Sequence, residues 1–284
     1  MTAEPSKSQP PKTISLLGIP YDLNSSYLRG PAEAPRRIRE GLYCDSSNLW
    51  TEDGLDLGIA GTLHDAGDLK LPDPPEAACA AIEQGVRETL ALGHPVISLG
   101  GDHSVTHPVL RAFQERFTDL TILHFDAHPD LYDDLNGRLS HACPFARIMG
   151  EHLARRLVQV GIRTINRHQL DQAKRFGVEV ITMRNLDKLA ALKFDGPLYI
   201  SLDLDVLDPA FAPGVSHYEP GGMSVRDVLN VIQGLRVPIV GADIVEYNPT
   251  RDHHQQTAMV AAKFLKEIAA AMLRRGTAPQ EGWA

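Results

Sequence analysis

The chain has 284 residues, of which 43% are hydrophobic and 23% charged, and a formal net charge of -8. This is an ordinary globular composition, which excludes the disordered and membrane classes. The negative balance argues against broad nucleic-acid binding and is compatible with a cationic small substrate.

The chain opens on MTAEPSKSQPPKT, polar and proline-rich without the apolar core of a signal peptide. The expectation is a frayed tail over residues 1–12 in a cytoplasmic protein. No later stretch reaches the roughly 18 apolar residues of a membrane span. Cys44, Cys79 and Cys143 are widely spaced with no C-x-x-C pair, so neither a disulfide framework nor a zinc ribbon is indicated and a reducing compartment is expected.

Short, continuously apolar runs then recur: ISLLGI (14–19), PVISLG (95–100), TILHF (121–125), LVQVGI (157–162), VEVIT (178–182), LYISLDL (198–204) and PIVGADI (238–244). Continuous rather than alternating apolarity predicts strands covered on both faces. Helical patterns lie between them, at 33–43, 76–92, 105–116, 224–235 and 256–274. The alternation predicts an α/β fold, a three-layer α/β/α arrangement with a mostly parallel sheet and helices on both faces. No linker or internal repeat interrupts it, so a single domain over 13–275 is expected. The tail at 276–284 reads as disordered, with Trp283 a candidate to dock on a neighbouring subunit.

Three of these strand ends carry the chemistry. In HFDAHPD (124–130), residues two apart share a strand face, so Asp126, His128 and Asp130 can point together, and Pro129 keeps the stretch extended. The alternative is a polar turn with one capping aspartate, which needs only one carboxylate. SLDLDVLDP (201–209) repeats the device with Asp203 and Asp205, whose buried like charges repel unless a cation lies between them. ISLGGDHS (97–104) adds His103, although GGDHS taken alone also reads as a tight turn and helix cap. Two imidazoles and four carboxylates at the carboxyl edge of the sheet are too many for one ion. They suit two divalent cations, Mn²⁺ before Zn²⁺ or Mg²⁺, and such pairs activate water for hydrolysis.

GGDHS, DAHPD and SLDLDVLDPAFAPG are similar to the three metal-binding motifs of the ureohydrolases, which include arginases and agmatinases. LGIPYDLNSSYLRGPAEAPRRIRE, VSHYEPGGMSVRDVLN and GADIVEYNPTRD extend the likeness, closest to plant-type arginases, over nearly the whole chain. The resemblance implies two Mn²⁺ per subunit, one held by His103, Asp126, Asp130 and Asp203, the other by Asp126, His128, Asp203 and Asp205. It also implies attack of the metal-bridging hydroxide on the guanidino carbon of L-arginine, giving urea and L-ornithine, in a homotrimer or homohexamer.

The same resemblance implies the roles that follow: Asp130 takes the proton released in the attack. His141, otherwise readable as a surface-loop histidine, shuttles a proton to the leaving amine. Glu246, otherwise a cap at a strand end, pairs with the substrate guanidinium. His217, which shares the plant-type VSH.EPGG pattern, and Asn24, Ser25 and Ser26 at the first strand end are candidates to line the substrate mouth, the three N-terminal residues reading equally as a turn cap. The loop DLYDDLNGRLSH (130–141) departs from the animal arginases: it is shorter and lacks their threonine and serine cluster for the substrate carboxylate. Asp133 and Asp134 there suit a free amine or form a solvated turn. Agmatine, or another guanidino compound such as guanidinobutyrate, is therefore the alternative substrate; a single-zinc amide hydrolase and a non-catalytic metal-stabilised protein are the remoter readings.

Overall fold

The computed structural model describes residues 12–274. The tails expected at 1–12 and 276–284, with Trp283, lie outside the described residues apart from Lys12.

Among the described residues the strands are β1 (Ile14–Gly18), β2 (Leu63–Asp68), β3 (Val96–Leu99), β4 (Thr121–Phe125), β5 (Arg156–Ile162), β6 (Glu179–Thr182), β7 (Leu198–Asp203) and β8 (Ile239–Val245). They form one sheet in the order β2-β1-β3-β8-β7-β4-β5-β6, parallel throughout. Each apolar run of the sequence is one of these strands. β2 was not read because LHDAGD is polar and mostly exposed: it is an edge strand that pairs only with β1, so no inner layer demands apolar side chains.

Helices α1 (Ala34–Leu42), α2 (Pro75–Ala91), α3 (Thr106–Gln114), α4 (Pro144–Gly150), α5 (Arg167–Phe176), α6 (Val225–Gly234) and α7 (Gln256–Arg274) cover the two faces. One core gathers Ile38 of α1, Ile232 of α6 and Phe264, Ile268 and Met272 of α7 against the sheet. The other gathers Ile82 of α2, Phe113 of α3, Phe145 of α4 and Ala173 of α5. The three-layer α/β/α arrangement is thus the observed one. α5 escaped the sequence reading because RHQLDQAKRF buries only Gln169, Gln172 and Ala173, and its ends are set instead by Asn166, which accepts from the Gln169 N–H, and by Gly177 in a left-handed conformation.

The four central strands β3, β8, β7 and β4 lie side by side, so the segments leaving their carboxyl ends share one crevice. Gly101, just after β3, makes that junction possible. A Cβ there would collide with the carbonyl oxygen of Tyr21, while the Asp102 N–H donates to the same carbonyl at 2.8 Å. Substituting Gly101→Ala should therefore cost about 2 kcal/mol or more of stability, seen as a lowered urea midpoint with an unchanged slope.

His107 of α3 is buried with its Nε2 2.9 Å from Glu151. Burial, with the charge of Arg147, pushes its pKa down from 6.5 to about 4. The unfolded chain takes up this proton near pH 6.5 and the folded chain only near 4, so the stability it contributes is complete above 6.5 and is lost as pH falls through that window. Thermal melts between pH 7.5 and 4.5 should show a shallower loss for His107→Gln than for the unaltered chain.

Candidate metal centre

Six side chains meet where β3, β4 and β7 end. The ring Nδ1 of His103 lies 3.2 Å from Asp126 Oδ2, 3.1 Å from Asp130 Oδ2 and 3.2 Å from Asp203 Oδ2. On the other side, His128 Nδ1 lies 3.0 Å from Asp205 Oδ2 and 3.4 Å from Asp126 Oδ1. Asp126 thus faces both histidines, one oxygen to each. Local backbone contacts fix these carboxylates: the Ala127 N–H donates to Asp205 at 3.0 Å, and the Asp205 N–H to Asp203 at 2.8 Å. Asp130 is held with φ at 51°, a left-handed conformation that non-glycine residues rarely adopt and that clusters at functional sites.

The electrostatics require a positive charge. Burial pushes the Asp203 carboxyl well above the usual range, and the charges of Asp205 and Asp126 add to it; burial raises Asp205 too. Burial alone would lower His103, yet the nearby carboxylates of Asp126, Asp130 and Asp203 hold it well above its ordinary value. Its Nδ1 is fully buried among three carboxylates and has no hydrogen-bond partner of acceptable geometry. An orphaned ring nitrogen facing three carboxylates, with a second imidazole and a fourth carboxylate alongside, fits divalent cations with oxygen and nitrogen ligands. Among the described residues, two groupings of donors close enough to hold an ion share Asp126: one with His103 and His124, the other with His128 and Asp205.

His124 belongs to the support rather than to the ligands. Gln159 Nε2 donates to the Pro129 carbonyl at 2.6 Å and to His124 Nδ1 at 3.1 Å, so His124 carries its proton on Nε2 and donates it to Asp126 Oδ2 at 2.8 Å. The ring stacks on Phe145 with centroids 3.9 Å apart. His103 is oriented similarly: its Nε2 meets Ser201 Oγ at 3.0 Å, and Ser201 donates to Asp243 Oδ1 at 2.7 Å. Asp243 also accepts from Thr106 and Tyr199. Sequence reading missed this buried carboxylate, although its signal was present: one acid inside the apolar run PIVGADI.

Beside the cluster, His141 Nδ1 donates to Glu246 Oε1 at 2.7 Å, and the same oxygen accepts the His103 N–H at 2.8 Å. Glu246 also sits at positive φ, 62°. Burial would lower the His141 pKa, but the Glu246 charge raises it to about 9. The Ser26 N–H, 3.2 Å from Nε2, acts the other way by favouring a bare nitrogen. The carboxylate prevails, because a full charge at shorter range outweighs an amide dipole.

Of the expected mouth residues, Ser26 touches His141 Nε2 through its hydroxyl at 2.8 Å, and the His217 ring lies 5.2 Å from that of His141 and 6.0 Å from that of His128. Asn24 turns inward instead, donating to Ser104 Oγ at 3.0 Å. Asp133 is not brought to the cluster, because its carboxylate faces His168 at 3.6 Å and Arg175 at 4.0 Å beside α5. Asp102, read only as a cap, accepts from the backbone of Asn24 and Ser104 and from the hydroxyls of Ser25 and Ser104, and so ties the mouth segment to the third strand end.

The sequence model of the arginase family matches residues 12–271. The chain belongs to the arginase family. It is 48% identical to Arginase 1, mitochondrial, of Arabidopsis thaliana, over 91% of this chain and 80% of that protein. It is 36% identical to an agmatinase of Bacillus subtilis over 89% of each chain. The solved arginase of Medicago truncatula superposes with a TM-score of 0.86 at 45% identity, covering 92% of this chain and 87% of that one.

Membership makes it a metal-dependent hydrolase of the class that acts on guanidino groups. It also corrects the cytoplasmic expectation: the Arabidopsis relative is mitochondrial by name. The three cysteines are unpaired and, among the described residues, no helix is long and apolar enough to cross a membrane. Such features are shared by soluble proteins of either compartment, which is why composition misled.

Because Ser201 contacts His103 only at Nε2, the ring nitrogen turned away from the cluster's carboxylates, Ser201→Ala should weaken divalent-metal binding by roughly 10–100-fold while the far-ultraviolet circular dichroism stays unchanged. Equilibrium dialysis with elemental analysis measures it.

Proposed function

We propose that the chain hydrolyses L-arginine to urea and L-ornithine at a pair of Mn²⁺ ions, one held by His103, Asp126, Asp130 and Asp203 and the other by Asp126, His128, Asp203 and Asp205. The observation that carries this reading is the convergence of six ligand side chains on one point with the His141–Glu246 pair beside them. Kinship to an arginase at 48% identity supports the substrate. Bound divalent ions supply a water of lowered pKa next to the guanidinium carbon.

The chain's own groups do the rest. Glu246 has one oxygen committed to His141 and to the His103 N–H, and its other oxygen pairs with the planar guanidinium. Asp130, the most exposed of the cluster's carboxylates, takes the proton released as the carbon is attacked. His141, held protonated at neutral pH by Glu246, gives its proton to the departing amine, which makes that amine a competent leaving group. His217 and Ser26 close the mouth around it. A homotrimer or homohexamer is part of the same reading.

Agmatine is the second substrate reading, favoured by the likeness to an agmatinase and by a 131–140 loop without a serine and threonine cluster for a carboxylate. Manganese-loaded protein should release urea, and comparing kcat/KM for L-arginine and agmatine ranks the two. His141→Ala should lower kcat by roughly 10²–10⁴-fold with metal content unchanged. Absence of urea from both substrates overturns the proposal.

A further inference from the structure

We infer that Glu219 receives the ammonium group at the far end of the guanidino substrate, so that the site selects guanidines with a cationic tail. The inference rests on the ureohydrolase reading and adds a residue that reads the tail.

The ligand cluster is most exposed at His128. The His128 side chain is 26% exposed, whereas those of His103, Asp126, Asp130, Asp203 and Asp205 are at most 9% exposed. A substrate that enters at this most exposed point passes His128, and its tail lies beyond that ring. Glu219 stands there, with Oε1 3.9 Å from His128 Nε2 and a side chain 37% exposed. That separation is too long for a hydrogen bond, so the carboxylate keeps its acceptor capacity for a ligand. Flat rings run on from His128: His217 lies 6.0 Å from it, and Tyr27, largely exposed, lies 5.8 Å from His217. Such a row suits a methylene chain with charge at its end.

Glu219 is also pre-positioned. Its carbonyl accepts from Arg163 Nε at 2.7 Å, and the other nitrogens of that guanidinium donate to the carbonyls of Asp205, Val206 and Leu207. One arginine thus fixes the Glu219 backbone to the segment that carries a ligand aspartate, which sets the distance between cluster and tail. Other acids of the mouth are engaged elsewhere. Asp133 faces α5, Asp134 accepts the Gly137 N–H, and Asp208 caps the turn at Gly221 and Gly222. Glu219 carries none of those commitments. The competing role for it is to orient His128, as a carboxylate behind a ligating imidazole does, and the two roles predict different results.

The test uses the manganese-loaded full chain and its Glu219→Gln variant on agmatine, L-arginine, 1-butylguanidine and 4-guanidinobutyrate, with manganese content measured for both. The expected result is a loss of roughly tenfold or more in kcat/KM for agmatine and L-arginine, mainly through KM. Butylguanidine, whose tail is neutral, should change less than about twofold, and the anionic guanidinobutyrate should improve. Calorimetric binding of 1,4-diaminobutane should weaken by a similar factor while manganese content holds. Equal losses on all four substrates with less manganese would assign Glu219 to orienting His128 and overturn the inference, as would unchanged selectivity. If the unaltered chain releases urea from none of the four, the ureohydrolase reading fails and this inference with it.

Discussion

Four carboxylates cannot be buried within a few ångströms of one another unless positive charge is placed among them, and the architecture is arranged around that constraint. Asp126, Asp130, Asp203 and Asp205 are each nearly or fully buried, and desolvation raises Asp203 and Asp205 against their own ionisation. Positive charge, from bound cations or from imidazoles held protonated by the carboxylates, makes so costly a grouping stable. The parallel sheet supplies the geometry. Adjacent parallel strands end at the same edge, so residues from β3, β4 and β7 reach one point, and β8 brings Glu246 to its side.

A grouping that repels itself must be held by its surroundings, and the support is as specific as the ligands. His124 and Gln159 hold Asp126 from behind, Ser201 and Asp243 hold His103, and backbone N–H groups hold Asp203 and Asp205. Asp130 of the cluster and Glu246 beside it sit in left-handed backbone conformations. Each is flanked by contacts that fix it: the Asp130 carbonyl accepts from the Phe145 N–H at the start of α4, and the Glu246 N–H donates to the Gly101 carbonyl. Local strain is sustained by the packed elements on either side.

The mouth follows a different rule. Its residues come from loops after β1, β4 and β7, and their side chains are positioned by neighbours distant in sequence. His141 is set by Glu246 and Ser26, and the Glu219 backbone is set by Arg163. In the proposed reading the metal ligands answer to a chemistry common to the family, while this rim decides which guanidine fits. The identity to both an arginase and an agmatinase is consistent with that division of labour.

By itself the sequence determined the strands whose faces are both covered, since such strands must be continuously apolar, and the ligands spaced two apart, since strand geometry puts i and i+2 on one face. Asp126, His128, Asp130, Asp203 and Asp205 were legible as candidates for that reason, and His103 from the GGDHS stretch that follows an apolar run. β2 and α5 were not, because elements that bury little impose no pattern on their residues. Only the tertiary structure turned Asp133 toward α5 and Asn24 toward Ser104, recruited Asp243 and Asp102, and placed Glu219 beside His128. Those contacts join segments with no periodicity between them, and a side chain's direction in a loop is set by whichever distant partner offers the better hydrogen bond or charge.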